Sequence, residues 1–186
     1  MQRVMSEHPS HHLIYGTLLD YLTSEELTDT DDERYRQQIS KMMVESLGYH
    51  KQDLEPRLSI ETMFTRNFVR STIDLTVNMD GKQFMIIRYG PGSLVSRERS
   101  ALAAARLLNS RYRIPLAVVT NGRDAMLLDT ITTKVLKEGM EAIPSREEAA
   151  HLLPGLLFLP PQDEDKRIRE QRILNAFDLE RCCIGI

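Results

Sequence analysis

The stretch STIDLTVNMDGKQFMIIRYGPG, residues 71–92, carries the clearest local pattern in the chain. Apolar and polar side chains alternate strictly from Thr72 to Asn78, the period of a half-buried strand. Asp80-Gly81 then offers the positive φ angles that a tight hairpin turn demands, and Gln83 to Tyr89 returns as a mostly apolar run. The alternation predicts that Ile73, Leu75 and Val77 face one side and Thr72, Asp74 and Thr76 the other. The return strand ends oddly, because Arg88 and Tyr89 close it just before Gly90-Pro91-Gly92 takes the chain out of the sheet.

Outward from the hairpin, Arg97 to Asn109 is rich in strong helix formers, with a small alanine face suited to close packing on a sheet. Pro115 to Thr120 reads as a buried strand, Asn121-Gly122 as a turn and Ala125 to Asp129 as a further strand. A helix between two buried strands is a crossover, so the strands 83–89 and 115–120 are expected to be parallel. On the N-terminal side, Thr30 and Glu33 form a capping-box pattern that opens a helix over 31–47, with Tyr35, Ile39, Met42, Met43 and Leu47 on one face and Gly48 as its stop. Ser59 to Phe64 is a candidate short strand.

Beyond the sheet, Ser145 and Glu148 cap a short helix, and Pro160-Pro161 precedes a charged helix over 162–180. The sparse stripe of Ile168, Ile173, Leu174 and Phe177 on that helix is expected to dock on the core or on a partner chain. The fold class expected is α/β, with a mixed sheet of four to five strands flanked by helices. Its divisions are an N-terminal extension over 1–12, a main domain over 13–145 and a C-terminal helical extension over 146–186.

Within 186 residues, 24 basic side chains stand against 27 acidic ones, so the net charge of −3 gives no overall field that draws nucleic acid. Binding of that kind needs a local patch. Arginines 88, 97 and 99, around the Gly-Pro-Gly turn, are the candidates for phosphate contacts, weighed against a solvated charged face. His8, His11 and His12 fall in a polar terminus, readable as a metal-binding tract or as a loosely ordered end. Cys182 and Cys183 are adjacent and lack a second ligand pair at zinc spacing. No apolar run reaches the ~18 residues a membrane span needs, and a cytoplasmic protein is expected.

A carboxylate on a hairpin, with a return strand ending beside a helix, is an arrangement used by metal-dependent nucleases. The return-strand partners are then one residue apart, so that both side chains point to the same face. Here those positions are Ile87 and Tyr89.

Three segments together, DDERYRQQISKMMVESLGY (31–49), the hairpin itself (71–92) and YRIPLAVVTNGRDAMLLD (112–129), resemble the N-terminal nuclease domain of type I restriction enzyme R subunits and its stand-alone relatives. That family lies within the PD-(D/E)xK nuclease superfamily, and the resemblance runs from about Leu13 through Asp129. It implies a restriction-endonuclease-like core that cleaves DNA with Mg²⁺. The implied residues are a glutamate on the opening helix, a hairpin aspartate, a Glu-x-Lys pair and a glutamine on the next helix. Glu33 and Asp74 match the first two. Ile87 stands for the glutamate, Tyr89 for the lysine, and Arg99-Ser100-Ala101 occupies the glutamine region.

Three readings follow. In the first, the site is degenerate, no cofactor is needed, and the domain binds double-stranded DNA or restriction-modification subunits. In the second, Glu98 supplies a migrated carboxylate and the site, with Asp74 as metal ligand and Glu33 beside it, still works with Mg²⁺. The third is a homodimeric assembly module. Asp74 has other candidate partners in Arg66, Arg70 and the Tyr89 hydroxyl, and Glu33 is accounted for equally by its cap.

Overall fold

The computed structural model of the chain describes residues 14–64 and 67–182. The histidines at 8, 11 and 12, Arg66 and Cys183 lie outside the described residues. The hairpin forms as its sequence dictates: β4 (Asn67–Met79) turns through Asp80 and Gly81, both at positive φ, into β5 (Lys82–Tyr89). Around it runs a sheet of six strands in chain order, with β3 (Leu54–Phe64) at one edge, then β4, β5, β6 (Leu116–Thr120), β7 (Ala125–Asp129) and β8 (Val135–Glu138). Only β5 and β6 are parallel; α2 (Glu98–Leu108) makes the crossover between them, as expected. The sheet exceeds four to five strands because β8, whose Val-Leu-Lys-Glu sequence does not alternate, adds a short exposed edge.

Two apolar layers sandwich the sheet. One lies under α1 (Asp31–Lys41) and includes Ile39, Met43, Tyr49, Leu75, Val77, Ile87, Tyr89 and Val118. The other contains Ile60, Ile73, Ile86, Ala103, Ala104, Val119 and Leu174, and lies under α2 and α4 (Glu164–Cys182). The alanines of α2 bring that helix close to the strands. α1 continues into a π-helical turn over Met42–Ser46, so the predicted helix has its expected length but a widened final turn. The C-terminal helix docks on the chain's own core, where Leu174 is fully buried and Asn175 accepts from the Thr62 hydroxyl at 2.7 Å. A further helix, α3 (Arg146–Leu152), starts from the predicted box of Ser145 and Glu148. No helix among the described residues is long and apolar enough to cross a membrane.

Two features depart from the sequence reading. A separate antiparallel ribbon, β1 (Ile14–Leu19) with β2 (Glu26–Thr30), precedes α1 where no strand was expected, since its side chains are mostly exposed and carry no burial pattern. The alternation of β4 also breaks at Asp74. Ile73 packs in the α2 layer, whereas Leu75 and Val77 pack in the α1 layer. Opposite the break, Pro56 pairs with Leu75 and Leu58 with Ile73 in one unbroken register, but Arg57 between them takes the left-handed φ of 58° and is skipped by the pairing. A non-glycine residue in that region is strained, and such strain gathers at functional sites.

Candidate functional site

Where β4 breaks its alternation, the Asp74 carboxylate turns toward α1 and is almost fully buried, with 4 % of its surface exposed. Both its oxygens are engaged. The Arg36 Nε donates to Oδ1 at 2.7 Å, and the backbone N–H of Tyr89 donates to Oδ2 at 2.8 Å. The partner of Asp74 is therefore Arg36 on α1. Arg70 is paired instead with Glu61 in an exposed bridge at 2.7 Å, and the link to Tyr89 is made by its amide.

Glu33 sits beside Asp74 and is as deeply buried, at 5 % exposure. Thr30 caps α1 by accepting from the Glu33 N–H at 3.2 Å. The predicted return half of the capping box is not made, because the Glu33 carboxylate points into the site. Its Oε2 accepts from Arg36 Nη1 at 2.7 Å, while Oε1 accepts from Gln37 Nε2 at 2.9 Å and lies 3.5 Å from Arg57 Nη1. Arg36 thus bridges Glu33 and Asp74. Burial works against its charge, but the two carboxylates more than compensate and hold its pKa above the usual guanidinium value.

A third carboxylate, Asp20, follows β1 and completes the cluster. It accepts from Arg57, from Gln37 Nε2 at 3.2 Å and from the backbone N–H groups of Leu22 and Thr23, both at 2.8 Å. Burial opposes its ionisation, yet the Arg57 and backbone donors prevail and bring its pKa down to about 2. Sequence reading missed Asp20, Arg36, Gln37 and Arg57. The signal for two of them was present: Arg36 and Gln37 lie three and four residues after Glu33, on the same face of one helix.

Ile87 and Tyr89, at the positions where glutamate and lysine are expected, both lie on the α1 side. Ile87 is completely buried, and the Tyr89 ring stacks on Tyr35 with centroids 4.3 Å apart and planes at 19°. Tyr35 in turn rests on the turn after β6, where a Cβ added at Gly122 would approach its Cε1 to 2.8 Å. These side chains fill the ground between α1 and the ends of the parallel strands.

The remaining candidates are elsewhere. Arg88 points through the opposite sheet face, buried at 7 % exposure, and donates to Ser100 Oγ at 2.6 Å and to Asp178 Oδ1 at 2.9 Å. It cannot join an exposed phosphate-binding patch, because its charge is spent on tying β5 to α4. Arg97 donates to the Pro91 carbonyl at 3.1 Å and folds against Gly90. Arg99 is exposed. Glu98 lines a groove of about 550 Å³ between α2 and α4 with Arg99, Arg106, Lys166 and Arg169, and so does not meet Asp74 or Glu33. His50 and His151 are exposed.

A hard divalent cation requires several oxygen ligands, preferably carboxylate or water, around one point. The donor set does not fit one. All four carboxylate oxygens of Glu33 and Asp74 already accept from nitrogen donors, and the fully buried Ile87 brings no ligand atom. Among the described residues, no group of three or more His, Cys, Asp or Glu side chains is disposed to hold a metal ion.

Residues 31–144, from the start of α1 to the loop after β8, match a family profile described as type I restriction enzyme R protein N terminus. No curated protein and no solved structure matches the chain.

Proposed function

The chain belongs to the family of the type I restriction enzyme R protein N terminus, and from that premise we propose that it is a nuclease-fold domain that does not cleave nucleic acid and serves to bind duplex DNA. One observation carries the loss of hydrolysis. At the two return-strand positions where the family's chemistry needs a carboxylate and a cation, this chain has the buried side chains of Ile87 and Tyr89. Isoleucine has no ligand atom, and a phenol, neutral at ordinary pH, supplies neither the carboxylate nor the positive charge that would offset charge building on a phosphate.

For binding, the support is the distribution of cations rather than their total. Arg99 on α2 and Arg169 on α4 are exposed on the same groove, and neither has an acidic partner among the described residues. Lys166 adds a third charge there, shared with Asp163 at 2.8 Å. Guanidinium groups suit phosphate oxygens because of their planar, forked donors. The assembly reading has less behind it: the β8 edge is interrupted by an irregularity and carries Lys137 and Glu138, features that discourage strand pairing between copies.

Two assays test the proposal. Supercoiled plasmid incubated with the protein and Mg²⁺ or Mn²⁺ remains intact; nicking that disappears in Asp74→Asn overturns the non-hydrolytic reading. Duplex affinity measured at several salt concentrations gives a negative log–log slope, and each arginine removed in Arg99→Ala and Arg169→Ala lowers its magnitude by about 1. A slope unmoved by both substitutions excludes this groove.

A further inference from the structure

We infer that Arg36 is a built-in substitute for a metal ion, and that its removal converts Glu33 and Asp74 into a site that takes up a hard divalent cation. The inference rests on the non-hydrolytic reading but makes a separate claim, about what holds the carboxylates together now.

The geometry is that of a bridging cation. Two nitrogens of one guanidinium each reach a carboxylate on a different element, Glu33 on α1 and Asp74 on β4, both at 2.7 Å. Among the described residues no other side chain bridges that pair. Arg57 and Gln37 perform the same service one step further out, between Glu33 and Asp20. Three buried carboxylates therefore face two guanidinium groups, and the cluster retains a formal charge of −1 with both arginines present. Without Arg36 that charge becomes −2, in a place where water reaches little of either Glu33 or Asp74. Buried anions in that condition must protonate, unfold their surroundings or acquire a cation. Oxygen ligands of this type favour Mg²⁺, Mn²⁺ or Ca²⁺.

The test uses the full chain in four forms: wild type, Arg36→Ala, Arg36→Gln and Arg36→Ala/Asp74→Asn. Arg36→Gln keeps more of the packing than Arg36→Ala while removing the same charge, in case the smaller variant does not fold. Mn²⁺ uptake is read from loss of the free-ion electron paramagnetic resonance signal, and thermal unfolding is followed in EDTA and in Mn²⁺. The wild type leaves the Mn²⁺ signal unchanged and unfolds at one temperature in both buffers. Arg36→Ala or Arg36→Gln binds about one equivalent, and its unfolding temperature rises by about 5 °C in Mn²⁺ at 100 times the dissociation constant. The double variant loses the binding.

A variant that folds only with Mn²⁺ supports the inference equally. If neither single variant binds Mn²⁺, whether folded or not, the inference fails and the non-hydrolytic reading stands. If the wild type itself binds Mn²⁺ through Asp74, both fail.

Discussion

The rings of Tyr35 and Tyr89 lie face to face, 4.3 Å between centroids, so that a helix residue and a strand residue together close the space beside Asp74. Gly122 supports this stack from below, and two glycines separate its contribution from that of backbone strain. Gly92, at φ 89°, has open space around its missing Cβ, whereas Gly122, at φ 83°, has the Tyr35 ring there. Gly92→Ala is expected to lower stability by about 1 kcal/mol from conformation alone. Gly122→Ala adds a steric cost of about 1–3 kcal/mol. Urea midpoints of the two variants measure the difference, and equal midpoints would mean that the stack yields freely.

Placing glutamate and lysine at positions 87 and 89 is expected not to produce a nuclease. Ile87→Glu/Tyr89→Lys places two charges in the fully packed α1 layer and removes the aromatic stack, with Arg36 still spanning Glu33 and Asp74. The variant is expected to lose about 3 kcal/mol or more of stability and to leave plasmid DNA uncut in Mg²⁺. Denaturation curves and the plasmid assay check the two halves of the prediction independently.

The bond between Arg88 and Asp178 holds the C-terminal helix against the central strand. Asp178→Ala strands a buried guanidinium with Ser100 as its remaining partner, which is expected to cost about 3–5 kcal/mol. Replacing both partners, as Arg88→Met/Asp178→Leu, removes the charge together with its counter-charge and is expected to recover most of that loss. A double-mutant cycle from chemical denaturation gives the coupling, and simple additivity would show that the two side chains do not depend on each other.

Acid weakens the cluster through Asp20. Its folded pKa, about 2, lies below the ordinary 3.8. The stabilisation is therefore complete above the unfolded value and is lost as pH falls from about 4 to about 2; it is on the order of 2 kcal/mol. Asp20→Asn should flatten that part of the stability–pH curve. A variant that retains the full wild-type slope between those values would remove Asp20 as its cause.

The hairpin, the crossover helix and the strand after it were legible because each expresses one period and one set of boundary residues. Asp80-Gly81 sets the turn, the alanine run sets α2, and Asn121-Gly122 ends β6. Glu33 and Asp74 were legible as a pair for a different reason, the order of three motifs along the chain. Their partners were harder to read: Arg36 shares a helix face with Glu33, but it and Arg57 read in isolation as ordinary charges of a solvated surface. Only the three-dimensional approach of α1 to the broken strand half-buries them against the carboxylates. Strict alternation across Asp74 misassigned Ile73, since a single left-handed residue, Arg57, on the neighbouring strand cannot be seen from β4 itself. The ribbon was missed because nothing in its composition marks it as part of a core.

That ribbon has a consequence for how the molecule comes apart. Beyond Leu22, which packs against the α1 layer, β1, β2 and their turn are tied to the body among the described residues largely by charged and polar groups, including Asp20 to Arg57, the Tyr21 amide to Gln37 at 2.7 Å, Lys51 to the Tyr21 carbonyl, Asp29 to Arg34 at 2.6 Å and the Arg34 guanidinium over the Tyr15 ring. Apolar layers are little affected by dilute salt, whereas contacts between exposed charges are screened by it. The ribbon is thus expected to open ahead of the central sheet, and its exposed pairs to weaken as ionic strength rises, while the buried Asp20–Arg57 pair is screened less. Amide hydrogen exchange of residues 14–30 should quicken as salt is raised, with β5 and β6 keeping time as the internal clock.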